Sequence, residues 1–208
     1  MTKAVELEPN RLLDWGQTDL YRFFAFAFGP PTKERYAWFS QPGTPGALRE
    51  LWQQLSCEGQ FPEFIWFPDF ESYEAAYIAV FDVGVPEPPV PLFESAHDKS
   101  RPAQELVLEN TYFYDVLGLR VDPVQSVPDH LVTQLEFLSA VAYAGERAEA
   151  EPSIQDLARL EREFLERHVL NWTGSARKRI KTSPFPSFAI LFALMCRFFD
   201  SRYQKLSY

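Results

Sequence analysis

Cysteine is nearly absent. Cys57 and Cys196 stand far apart in 208 residues, each inside an apolar helical pattern. That placement excludes a disulfide framework and a cysteine-rich metal knuckle, and leaves two reduced core thiols. Histidine is as scarce: His97, His130 and His168 include no pair at metal-ligand spacing. The nine glycines are dispersed, so no phosphate-cradling loop leads from a strand into a helix. No long hydrophobic run exists either. FAILFALMC, from Phe188 to Cys196, is interrupted by Arg197, whereas a membrane span needs roughly 20 apolar residues. The run reads as a buried helix, without stable membrane insertion. The beginning, MTKAVELEPNRLLDWG, carries acids and lacks a signal peptide's apolar stretch, which points to a cytoplasmic protein. Basic residues are in deficit, 20 against 29 acidic, giving a net charge of -9. That sign argues against nucleic acid as a partner and suits a basic peptide. The stretch ARKRIK, 176–181, is a short solvated helix end in this acidic setting.

Aromatics, in contrast, are abundant. They make up 16% of the chain, within a hydrophobic fraction of 46% and a charged fraction of 24%, a globular composition with an unusual aromatic load. Nineteen phenylalanines imply an aromatic-rich core, or a core together with an aromatic-lined groove. The length supports one sizeable core or two intimately packed helical halves.

Helical periodicity dominates. The spacing predicts a helix from about Thr18 to Phe28 that stops before Gly29, Pro30 and Pro31, and a short helix in TKERYAWFS. In TPGALRELWQQLS, Thr44 is the expected cap, Pro45 occupies the first turn, and Leu48, Leu51, Trp52 and Leu55 share a face. FPEFIWFPDF, 61–70, fits neither period: it is a packed loop or an aromatic wall of a peptide site, with Trp66 as the candidate contact. Helices follow over 69–83, over 102–117 with Gly118 ending it, and from near Pro128 through PDHLVTQLEFLSAVAYAGER. Ser153 and Asp156 suggest a capping box for a helix through Leu157, Leu160, Phe164 and His168. A shorter helix in NWTGSARKRIK and a C-terminal one after Ser183 and Pro184 complete the order. No alternating strand run or internal repeat is present. The expected fold is therefore all-α, with about eight or nine helices in one domain. Its halves, 1–83 and 99–208, are joined by a proline-rich connector at 84–98, which is the natural hinge.

Candidate chemistry centres on PDHLVTQLEFL. At 100° per residue Leu131, Leu135, Leu138 and Ala142 form one face, while Asp129 and Glu136 share another direction. Asp129 either caps the helix or belongs to a surface carboxylate pair that receives an arginine. His130 titrates near neutrality, but no nucleophile or orienting partner accompanies it in sequence. His168 continues the Leu160 and Phe164 face and suits a hydrogen-bonded core position.

Four pieces in order carry a family resemblance: VPLFESAH (90–97), YFYDVLGL (112–119), PDHLVTQLEFL (128–138) and FLERHVLNW (164–172). Together they make the chain similar to the TorD/DmsD/NarJ family of redox-enzyme maturation chaperones. The PLFES version, with Phe93 where such proteins often carry tyrosine, resembles the accessory chaperones of the dimethylsulfide, ethylbenzene, selenate and chlorate molybdoenzyme group. Val127 stands before PDHL where many relatives carry an acidic or polar residue. The resemblance implies a non-catalytic, cofactor-free cytoplasmic chaperone. Its partners would be the apo-catalytic subunit of a molybdenum enzyme and that subunit's twin-arginine leader. It would hold the client ready for molybdopterin guanine dinucleotide. The implied peptide-contact region comprises Leu92, Phe93, Glu94, Asp129 and His130, with Glu136 and His168 as neighbours. A monomer is expected, with a domain-swapped dimer through the connector as the alternative. The competing readings are a small helical enzyme in which His130, His168 and carboxylates converge, and a permanent structural subunit of the redox complex.

Overall fold

In the computed structural model, residues 16–122 and 126–206 are described. The N-terminal stretch 1–15 and part of the LRVDPVQSV loop lie outside them. Ten α-helices follow in order: α1 Gln17–Phe28, α2 Lys33–Phe39, α3 Thr44–Gln54, α4 Phe70–Tyr77, α5 Glu94–His97, α6 Ala103–Val116, α7 Leu131–Arg147, α8 Glu151–Phe164, α9 Leu170–Ile180 and α10 Pro186–Lys205. Two π-helical turns, Ile78–Asp82 and Leu165–Val169, extend α4 and join α8 to α9. Among the described residues there is no strand, only an isolated antiparallel bridge between Phe93 and His130. The expected all-α class is what the chain adopts.

The core is built around α10 and α1. Phe188, Leu191, Phe192, Met195 and Phe199 of α10, with Tyr21, Phe23, Phe24 and Phe28 of α1, are essentially inaccessible. The α1 helix packs along α7 as well as α10, so early and late parts of the chain share one interior. Across that interior Tyr21 donates to the buried Glu161 carboxylate at 2.9 Å, and Arg202 forks onto the same group at 2.7 and 2.6 Å. Thirteen of the nineteen phenylalanines are buried and the other six are half-buried. The aromatic surplus goes mainly into the core. In the 61–70 loop, Trp66 stacks on Phe39 at 4.5 Å and lies 5.7 Å from Phe64.

Several helix starts differ from expectation because the chain caps them elsewhere. Gly43, not Thr44, precedes α3, and the Thr44 hydroxyl instead donates to the Trp38 carbonyl at 2.9 Å. The Ser153–Asp156 box does not form: α8 begins at Glu151 after Ala150, which places Ser153 inside the first turn. The α7 helix begins at Leu131 rather than Pro128, because Asp129 and His130 are drawn into the extended bridge with the connector.

The connector is stitched at both ends. Val90 N–H donates to the Val80 carbonyl at 2.9 Å, and Arg179 of α9 holds Glu87 at 3.0 Å and the Pro88 carbonyl at 3.1 Å. Glycine is required at 84, where an added Cβ would come within 2.2 Å of the Glu87 carbonyl oxygen. Residues 82–87 are exposed, whereas Val90, Pro91 and Leu92 turn into the core.

Candidate functional site

The end of the connector meets the start of α7 through two backbone hydrogen bonds: Glu94 N–H to the Asp129 carbonyl at 2.9 Å, and Leu131 N–H to the Leu92 carbonyl at 2.8 Å. The extended backbone preceding each helix makes this pairing available. Asp129 then caps α5, accepting from Ser95 N–H through Oδ2 at 3.1 Å. His130 caps α7, its Nδ1 accepting from Val132 N–H at 3.2 Å. The two helix starts are therefore fastened to each other by neighbouring side chains. Phe93 and His130 meet edge to face, 4.8 Å between ring centroids, and both remain half-buried.

Behind this seam lies a buried polar junction. The Glu94 carboxylate is inaccessible. It accepts from Asn110 of α6 at 2.8 Å, from Gln134 of α7 at 2.9 Å, and from His168 Nδ1 at 3.1 Å. Asn110 uses its two amide hydrogens on Glu94 and on the Leu106 carbonyl, so its 3.1 Å contact with His168 is not a hydrogen bond. His168 Nδ1 therefore carries the proton that points at Glu94. Gln134 closes the ring, accepting from Trp172 Nε1 at 3.2 Å and donating to Asn110 Oδ1 at 3.2 Å. Tyr114 donates to the Pro128 carbonyl at 2.6 Å, and burial, reinforced by the charges of Glu94, Asp129 and Glu136, holds its hydroxyl well above the ordinary value. Three separate helical segments thus bring donors to one carboxylate, Asn110 from α6, Gln134 from α7 and His168 from the π turn, in a place that water can no longer reach.

At the outer edge, His168 Nε2 lies 3.7 Å from Glu109, too far for a hydrogen bond, and Glu109 accepts instead from Arg101 and Arg167. Burial opposes ionisation of Glu109, but Arg101, His168 and Arg167 bring its carboxyl below the ordinary range. His130 behaves oppositely: burial lowers it to about 4, against the smaller raising influence of Asp129. His97 completes the connector's attachment, bonding to the Pro91 carbonyl at 2.8 Å and stacking on Trp172 at 5.2 Å.

The structure brings Leu92, Phe93, Glu94, Asp129, His130 and His168 together, and leaves two candidates outside. Trp66 belongs to the aromatic cluster with Phe39, Phe64 and Tyr73. Glu136 is exposed on α7, although crowding about its carboxyl raises it above the ordinary range. Its expected common direction with Asp129 is not realised, since Asp129 precedes the helix and is buried. Neither Glu94 nor Asp129 is a surface carboxylate. Sequence reasoning missed Asn110, Gln134 and Tyr114 as members of the junction. The available signal was an amide on each apolar stripe, Asn110 four residues after Leu106 and Gln134 three after Leu131. No group of metal-ligating side chains occurs among the described residues, and no helix there is long and apolar enough to cross a membrane.

The helices and this junction define an all-helical protein whose central polar residues fix the geometry of a connector. The chain belongs to the nitrate reductase delta subunit family, whose model matches residues 43–177. It is 27% identical over 202 residues to the perchlorate reductase assembly chaperone protein of Dechloromonas aromatica (strain RCB), covering 90% of this chain and 88% of that one. It is 30% identical over 119 residues to the selenate reductase assembly chaperone protein of Thauera selenatis, spanning 54% of this chain and 60% of that one. The chlorate reductase assembly chaperone protein of Ideonella dechloratans matches with the same identity and coverage. These relatives bear out the resemblance to TorD/DmsD/NarJ redox-enzyme maturation chaperones. A crystal structure titled as a redox enzyme maturation protein from Archaeoglobus fulgidus aligns with a TM-score of 0.45 and 19% identity, over 80% of this chain and 93% of that one.

Proposed function

We propose that this chain is a cytoplasmic assembly chaperone. It would bind the immature catalytic subunit of a molybdopterin-dependent oxidoreductase, engage its twin-arginine leader and keep it open to cofactor insertion. The observation that carries this reading is similarity along nearly the whole chain to a reductase assembly chaperone. The geometry supports it over convergent histidine catalysis, because His130 is committed to capping α7 and His168 to holding Glu94. Both are structural tasks. In this reading Phe93, His130, Trp66 and Glu136, which retain access to solvent, touch the leader. Leu92, Glu94, Asp129 and His168 hold the seam beneath them. A net charge of -9 favours a partner segment bearing arginines.

The test is calorimetric titration of the purified protein with the apo-catalytic subunit of a molybdenum-dependent reductase from the same cells, and with that subunit's leader peptide. Stoichiometric binding is expected. Phe93→Ala should weaken it about tenfold without changing the circular dichroism spectrum, as truncation of an aromatic anchor does. Absence of binding to both ligands would refute the reading.

A further inference from the structure

The side of α6 away from the junction is apolar and uncovered. Leu108 and Tyr112 are each 69% exposed and Val116 is 55% exposed, and at helical spacing these three make one stripe. Beside them, a cleft of about 370 Å³ is lined by Glu109, Tyr112, Phe113, Val116, Leu160, Glu163 and Arg167. The charge around the stripe has one sign on its own helix: α6 carries Glu105, Glu109 and Asp115 and no lysine or arginine. Glu163 adds an exposed carboxylate across the cleft. Among the described residues, neither Asp115 nor Glu163 forms an ion pair. One part of the surface shows how a guanidinium is received here. Arg167, its side chain 54% exposed, places its guanidinium on Glu109 and 5.9 Å from the Phe113 ring centroid.

We propose that the outer face of α6 and the α6–α8 cleft dock an amphipathic helical segment of the client, apolar on one side and arginine- or lysine-bearing at its margins. This inference rests on the assembly-chaperone reading and adds a second client surface, on the opposite side of α6 from the Phe93–His130 seam. Leucine-like side chains would cover Leu108, Tyr112 and Val116, and basic heads would reach Asp115 and Glu163, while Glu105 is already paired with Arg101 at 4.0 Å. Charge selects this occupant over a second copy of the chain, because self-association would press these carboxylates against their own counterparts.

The probe is a fluorescently labelled helical peptide with leucines along one face and arginines at its margins, compared by anisotropy with counterparts carrying glutamate or glutamine instead. The arginine peptide should bind at least about tenfold more tightly than the glutamate one, and lose that advantage at high ionic strength. The double variant Leu108→Ser/Tyr112→Ser should weaken it about tenfold with an unchanged melting curve. Glu163→Gln should weaken binding at low ionic strength, reduce its salt dependence and leave the affinity at high ionic strength unchanged. Equal affinity for the three peptides overturns the proposal, as does undiminished binding by the double variant. A wild-type dimer that the double variant dissociates would instead assign the face to a second copy. The apo-catalytic subunit separates the two readings. If it binds the wild type and the double variant equally, the α6 face is not its docking surface and the chaperone reading survives. If it never binds the wild type, the chaperone reading fails, and the peptide series still decides what the α6 face accepts.

Discussion

At the scale of single residues, Glu94 and His130 show how buried polar groups hold this protein in one arrangement. Removing the Glu94 carboxylate strands the Asn110, Gln134 and His168 donors in a site that water does not reach. Glu94→Ala should therefore cost roughly 3 kcal/mol, visible as a lowered midpoint in urea. Glu94→Gln, which keeps the shape and part of the bonding, should cost clearly less. His130 gives a pH signature. Its folded-state value of about 4 lies below the usual histidine value of 6.5, so as pH falls the unfolded chain takes up the proton first. The stability it contributes is complete above about pH 6.5 and is lost progressively down to about pH 4, to a total of roughly 3 kcal/mol. Asparagine caps helices well and does not titrate. His130→Asn should thus flatten that part of the stability profile, measured as wild type minus variant so that His97 and the carboxylates cancel. An identical slope in the two proteins would show that His130 is not the group responsible.

At the scale of elements, the long helices and several of their bounds were legible, whereas the four-residue α5 inside the connector and the partners of the caps were not. The apolar stripes of α1, α7 and α10 announce themselves in Leu20, Phe24 and Phe28, in Leu131, Leu135 and Leu138, and in Phe188, Phe192 and Phe199. Caps depend on which neighbour competes for the side chain. Asp129 stands before α7 in sequence yet serves α5, a partnership across 34 positions that no local pattern encodes. The π turn at Leu165–Val169 was equally invisible. By adding a residue to the turn, it lets α8 run on into α9 while His168 and Trp172 both face inward. Two glycines test the local backbone from opposite directions. Gly84→Ala forces a Cβ against the Glu87 carbonyl and should cost roughly 1–3 kcal/mol. Gly46, inside α3, has nothing within 4 Å of an added Cβ, so Gly46→Ala should stabilise by up to about 1 kcal/mol. Thermal melts of the two variants should move in opposite senses from the wild type.

At the scale of the whole molecule, the proline connector looks like a boundary in sequence, but the packing crosses it repeatedly. The α1 helix lies before the connector and rests on α7 and α10 after it. The Tyr21–Glu161–Arg202 cluster ties residues 140 positions apart through a carboxylate that is 2% exposed. The connector itself supplies Glu94 to the central junction and Leu92 to the core. Separating residues 1–83 from 99–208 would therefore expose two faces of one interior rather than release two finished domains. The expected outcome is one cooperative unfolding transition, with tryptophan fluorescence and far-ultraviolet circular dichroism tracing the same urea curve. Calorimetric and van't Hoff enthalpies should also agree. Trp38, Trp52 and Trp66 report on the part before the connector and Trp172 on the part after it. Replacing Trp172 by phenylalanine, or Trp15 together with the earlier three, lets each side be followed alone. Two separated midpoints would make 84–98 a true domain boundary; coincident ones would make it a seam within a single folding unit, opened only when the junction around Glu94 is broken.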